Sequence, residues 1–298
     1  MSESAVRAGL AVDLMVIAIN AMIGIIFIRK IGKRLIWKDG EDNMPKSMIK
    51  RTITAGPLVM EAVYPASRVR DGPRVRQGKR ELSSKAQQLM NQKYAWQKLK
   101  LLMAANFGPR DIFATFTYSD EHLPFLKKEV QRDLTAFVRD LRNERRKAGR
   151  ELKYIRSIEH KHGEGRWHVH MLINATGDDY DQICRLWQKG AVEFRKIRVN
   201  REKNFETLAK YFCKEGRDKP GERLWSGSKG NLKKPERSFS YVPAGEVMRP
   251  PPEKRTAYRT LERKETPYGQ FYYMEYVLLA SLLGAPKARR RKKKSGFY

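Results

Sequence analysis

The segment Trp167-His168-Val169-His170-Met171-Leu172 places two imidazoles two residues apart in a run of apolar side chains. Alternate residues of a strand share a face, so His168 and His170 project together while Val169, Met171 and Ile173 point the other way, into a core. In the run just before, Leu152, Tyr154 and Ile158 form one face and Ser157 and Glu159 the opposite one. Pairing the two runs as a hairpin brings Glu159 to the side of the histidines. Two imidazoles and a carboxylate with open positions suit a hard or borderline divalent ion, Mg2+ or Mn2+. His160 and His162 form a second His-x-His pair at the turn, where alternation no longer fixes direction. They stand as alternative ligands or nucleic-acid contacts.

A second chemical group follows about forty residues on. Phe205, Leu208, Ala209 and Phe212 recur at i, i+3, i+4 and i+7, which predicts a helix over Asn204 to Lys214 with Asn204 as its cap. Tyr211 lies at the edge of that apolar stripe, and Lys214, three residues further, is its outward neighbour on the same side.

The elements that must hold these groups alternate between strand and helix. Asp111–Tyr118, Glu151–His160, Arg166–Asn174 and Ala191–Val199 read as strands. Leu126–Lys147 carries Val130, Leu134, Phe137, Val138 and Leu141 at helical spacing, between Pro124 and Gly149. Asp178–Lys189 reads as a further helix. Outside this centre, Met48–Tyr64 reads as a strand pair around Ala55-Gly56-Pro57, Val69–Arg80 as a basic loop and Ser83–Asn106 as a helix. Two more strands are expected near Thr256–Arg263 and Gln270–Leu278, after a basic Gly- and Pro-rich stretch from Lys219 to Pro235. The expected fold is α+β, a mainly antiparallel central sheet with helices packed on one face and the histidine-bearing face open.

Charge narrows the partner. The 298 residues hold 62 Lys plus Arg against 33 Asp plus Glu, a net charge of +29. Such an excess repels itself unless a polyanion offsets it, and nucleic acid is the commonest one. Hydrophobic residues at 41% permit a core and argue against wholesale disorder. Cys184 and Cys213 form neither a disulfide framework nor a CxxC metal site, in keeping with a reduced cytoplasm. Leu14–Ile28 is almost continuously apolar and is followed by Arg29, Lys30, Lys33 and Arg34. Residues 1–43 therefore read either as a membrane anchor through residues 9–28 or as an over-extended start upstream of Met44. Residues 287–298 form a basic tail.

The order FTYS (116–119), WHVHML (167–172) and YFCKEG (211–216) resembles the three motifs of rolling-circle replication initiators of the HUH endonuclease superfamily. The resemblance covers roughly Asp111 to Gly216. SGSKGNLKKP (226–235) is similar to the phage and plasmid branch of those proteins. It implies an HUH endonuclease or ferredoxin-like sheet over 111–216, flanked by 44–110 and by a basic loop and strand extension over 217–286. It also implies that His168 and His170 bind the metal, that Glu159 completes the site, and that Tyr211 is the nucleophile with Lys214 as its partner. Val169 fits the hydrophobic middle of the histidine motif, and the single motif tyrosine matches the single-tyrosine branch. The implied reaction nicks single-stranded DNA at an origin, leaving a 5′-phosphotyrosyl link and a free 3′-hydroxyl. Thr115, Thr117 and Lys210 are then candidates for holding the strand. The chain contains no GxxxxGK[ST] phosphate loop, so strand separation falls to supercoiling or a host helicase, and synthesis to a polymerase. The expected location is the cytoplasm of a bacterial host. A related transposase or relaxase, or a non-catalytic basic DNA-binding protein, is the alternative.

Overall fold

The computed structural model describes residues 47–66, 84–160, 166–197, 204–214, 223–243, 248–266 and 269–279. The N-terminal apolar segment, the basic loop 69–80, His162 with the turn 163–165, and the basic tail lie outside them. No helix among the described residues is long and apolar enough to cross a membrane.

The architecture is α+β, built from two antiparallel five-stranded sheets and four helices. The first sheet joins β1 (Ser47–Ala55), β2 (Leu58–Pro65), β8 (Glu236–Pro243), β9 (Thr256–Thr266) and β10 (Gly269–Leu278) in the order β8-β1-β2-β10-β9. The second holds the strands that carry the chemistry. These are β3 (Ile112–Phe116), β4 (Tyr154–His160), β5 (Trp167–Ile173), β6 (Val192–Lys196) and the two-residue β7 (Ser226–Gly227), ordered β6-β3-β5-β4-β7. The helices are α1 (Lys85–Asn106), α2 (Lys127–Lys147), α3 (Asp179–Leu186) and α4 (Glu206–Phe212).

Alternation along the second sheet sorts its side chains as the sequence predicts. Val169, Met171 and Ile173 are fully buried in a core formed with Val130, Leu134, Phe137, Val138 and Leu141 of α2. Burying five such side chains from one stripe stabilises by about 1.5–3 kcal/mol each at most, enough to fix which face of α2 turns inward. Glu129 sharpens the start of α2 by accepting from the amides of Phe125 (2.8 Å) and Leu126 (3.1 Å). Gly149 closes the helix at a φ of +67°.

The opposite face is less open than the sequence suggests. A second core draws Ile155 and Leu172 from this sheet, Ile53, Ala55 and Leu58 from the other, Leu99 and Met103 from α1, and Phe205, Ala209 and Phe212 from α4. The strand pair and helix of the N-terminal part and the C-terminal hairpin thus supply a second apolar surface. The near half of the histidine-bearing face packs against it.

Two local expectations change. The strand β8 falls in a stretch with no strong alternation. Asn204 does not cap α4: it adopts a φ of +48°, its buried side-chain oxygen has no partner among the described residues, and Phe205 occupies the cap position without a side-chain bond. A short polar side chain tolerates the left-handed conformation, and that is the use made of it here.

A buried ion pair ties α2 to the sheet. Arg145 donates to Asp179 at 2.6 Å and to both oxygens of Asn174, at 2.9 and 3.0 Å. Burial pushes the Asp179 carboxyl up. Hydrogen bonds from the Thr176 hydroxyl and the Thr176 and Gly177 amides, with the Arg145 charge, outweigh it and hold the group below its ordinary range. The ionised form is therefore favoured by folding, so its contribution is complete above the unfolded pKa of about 3.9 and disappears as pH falls through the lower folded value. Asp179→Asn is expected to cost about 3 kcal/mol in urea unfolding at neutral pH. The difference from the parent should shrink at pH values below about 3.9. A neutral-pH loss under about 1 kcal/mol would rank the pair with exposed ion pairs instead.

Candidate active site

The hairpin register pairs Glu159 with His168 and Ser157 with His170, and on the other side of β5 it pairs Thr115 with His170. All these side chains share one face. α4 lies across that face and brings Tyr211 down onto it.

His170 is the hub. Its ring is buried, with Nε2 2.7 Å from Glu159 Oε2 and Nδ1 3.2 Å from the Thr115 hydroxyl. The Tyr211 hydroxyl stands 2.9 Å from the same Nε2 and 3.4 Å from Glu159 Oε2. Lys214 closes the group with Nζ 2.5 Å from the other carboxylate oxygen and 4.3 Å from the centre of the Tyr211 ring. Phe113 supports the arrangement from β3, stacked on His170 at 5.9 Å and meeting Tyr211 edge-on at 6.3 Å. A hydroxyl both donates and accepts, so Thr115 can serve either imidazole tautomer.

The electrostatics follow from burial and these contacts. Burial pushes Glu159 up, but Lys214 and His170 outweigh it and hold the carboxyl below its usual range. Burial lowers the His170 imidazole against the pull of Glu159, so the ring is neutral at pH 7 and can act as an acceptor or ligand. Burial, with the Glu159 charge, raises the Tyr211 phenol, and Lys214 opposes that rise. The Lys214 ammonium is raised despite burial because Glu159 and Tyr211 favour its charge.

Of the three expected metal ligands, Glu159 and His170 are in contact, at a separation that neighbouring ligands of one divalent ion also adopt. His168 lies on the same face with its ring centre 6.5 Å from that of His170. Both Glu159 oxygens are taken up by His170, Tyr211 and Lys214, and among the described residues no three His, Cys, Asp or Glu side chains gather as a cage. In donor type and in face the residues fit a hard or borderline cation. His160 instead stacks on Trp167, with ring centres 4.1 Å apart.

The residues expected to hold DNA are otherwise engaged. Thr115 is 9% exposed and its hydroxyl is turned to His170; register, not solvent, sets its partner. The Thr117 hydroxyl donates to the Ala191 carbonyl at 3.0 Å. Lys210 pairs with Glu206 at 2.6 Å and lies over the Trp96 ring. Instead, a cavity of about 480 Å³ opens beside Tyr211, and Lys127, Arg156, Arg223 and Trp225 are among the residues that line it.

Sequence reasoning also missed what anchors α4. The Gln92 side chain of α1 donates to the carbonyls of Cys213 (2.5 Å) and Lys214 (3.2 Å), just past the end of the tyrosine helix. Lys100, also on α1 and buried, bridges Glu206 at the start of α4 (3.1 Å) and Glu275 on β10 (2.5 Å). A lysine inside the apolar stripe of a predicted helix was the only available sign of this.

Residues 111–216, a little over a third of the chain, match a family model for replication-associated proteins of the ORF2 type. That match supports a role in initiating replication, and hence action on DNA, and is compatible with endonuclease activity. No curated protein and no solved structure matches the chain.

Gln92→Leu removes two bonds worth about 1 kcal/mol each at most. Amide hydrogen exchange in α4 is expected to quicken roughly fivefold or more, while β5 stays protected. Unchanged exchange in α4 would show that Gln92 does not hold the helix.

Proposed function

We propose that this chain is a rolling-circle replication initiator of the HUH type, which nicks single-stranded DNA at an origin with Tyr211 as nucleophile. The observation that carries the reading is the convergence of the Tyr211 hydroxyl, His170 Nε2 and Glu159 Oε2 within 3.4 Å, with Lys214 beside them. The family match over residues 111–216 and the net charge of +29 support it from independent directions.

The reaction is an in-line displacement at phosphorus. The Tyr211 oxygen attacks, forming a bond between tyrosine and the 5′-phosphate, and the 3′ oxygen leaves with the bonding pair and takes a proton from water. A divalent ion, Mg2+ or Mn2+, held by Glu159, His168 and His170 would polarise the phosphate and neutralise its developing charge. Burial keeps the phenol protonated at rest. Tyr211 is nevertheless 36% exposed, so water can carry the proton away as attack proceeds. Lys214 favours the phenolate from 4.3 Å, and its bond to Glu159 holds it there. Thr115 and Phe113 keep His170 from turning. The freed 3′-hydroxyl then serves a host polymerase, with strand opening left to a host helicase.

The test is incubation of the full chain with circular single-stranded DNA and Mn2+, with and without EDTA, followed by a denaturing gel. Nicking is expected in metal, none in EDTA, and a loss of about a thousandfold or more in Tyr211→Phe without loss of DNA binding. Tight binding with no nick across metals and substrates would leave only a basic DNA-binding protein.

A further inference from the structure

The cavity beside Tyr211 continues past it, over the outer edge of β4. Among the described residues, β7 pairs only with Ile155 and Arg156, which leaves the edge from Ser157 to His160 without a strand partner. One wall is α2, where Lys127, Gln131 and Thr135 recur every four residues along a single face. The other is the segment leading into β7, with Arg223 and Trp225. Lys127, Arg156, Lys214 and Arg223 surround this space, and the one carboxylate among the described residues lining it, Glu159, is already bonded to Lys214. The surplus positive charge therefore faces the cavity.

Arg156 gives the groove its direction. Its Nε donates to the Ser226 hydroxyl at 3.2 Å, while its Nη1 is buried without a partner among the described residues. A buried guanidinium N–H lacking an acceptor is costly, and a phosphate oxygen is the acceptor for which this fork is shaped. Trp225 is half-buried: part of the indole packs against the core shared with α1 and α4, and part lines the cavity. A fixed indole beside cations is the arrangement on which unpaired bases stack. The volume of about 480 Å³ is in the range of small-ligand sites and too small for a duplex.

We propose that this groove seats one unpaired nucleotide next to the scissile phosphate. Its phosphate rests on Arg156 and Lys127, its base stacks on Trp225, and Gln131 reaches the base edge. The inference rests on the reading that the chain acts on single-stranded DNA, and it assigns the residues that hold the strand in place of Thr115, Thr117 and Lys210.

The test is fluorescence anisotropy of a labelled single-stranded oligonucleotide with the full chain, across a salt series. Trp225→Ala should weaken binding roughly tenfold. Lys127→Ala, outside both core clusters, should lower the slope of log affinity against log salt by about 0.7. Arg139→Ala, exposed on the distal half of α2, should leave affinity within about twofold, as expected of a charge away from the contact. Parent-like affinity and salt slope in both groove variants would overturn the groove and leave the nicking reading standing. Failure of the parent chain to bind single-stranded DNA at all would overturn both.

Discussion

An imidazole bonded through both ring nitrogens cannot rotate without breaking a contact, and His170 is held in that way inside a buried sheet face. Three neighbours define its position: Thr115 from β3, Glu159 from β4 and Tyr211 from α4. These elements are far apart in sequence, and antiparallel pairing at one register is what brings two of them to the same ring. A slip of one residue in either ladder would send Glu159 or Thr115 to the α2 side, where only apolar side chains fit. The apolar face of β5 therefore fixes the polar one, and the packing of Val169, Met171 and Ile173 is a condition of the chemistry.

The third neighbour is positioned differently. α4 is only seven residues long, too short to persist without packing. It is held from below by Ala209 and Phe212, at its end by Gln92, and at its start by the Glu206 contact with Lys100. Lys100 also contacts Glu275, so the first sheet is wired to the tyrosine helix through one buried ammonium. Such a triad gains little net stability, since the desolvation of its charges offsets their attraction. Removing one member would leave buried charge unpaired, which makes the geometry specific. This is the physical reason for a further sheet in a chain whose histidines and carboxylate all sit on the other one.

Much of the site was legible because its signals are local. The spacing of His168 and His170 forced a common face, and the apolar positions of the preceding run placed Glu159 beside them. Helical periodicity put Tyr211 and Lys214 on one side of α4. What could not be read depended on contacts between distant segments. Thr115 was assigned to solvent because its face was known but its neighbour was not. Gln92 meets carbonyls 121 and 122 residues away, and Trp225 meets the cavity only after β7 joins β4. Asn204 was taken for a cap on residue type, while its backbone adopts a left-handed turn that residue type also permits. The split into two sheets was hidden for a related reason: strand pairs at the two ends of the chain give no sign of pairing with each other until β2 and β10 are seen side by side.

The central claim is that Tyr211 forms the covalent bond to DNA. The most direct measurement is to trap the reaction of the full chain with single-stranded DNA and Mn2+, digest the DNA and the protein, and locate the nucleotide-bearing peptide by mass spectrometry. The account predicts a phosphonucleotide on Tyr211, with none when EDTA is present. An adduct on another residue, or strand cleavage with no adduct, would contradict it.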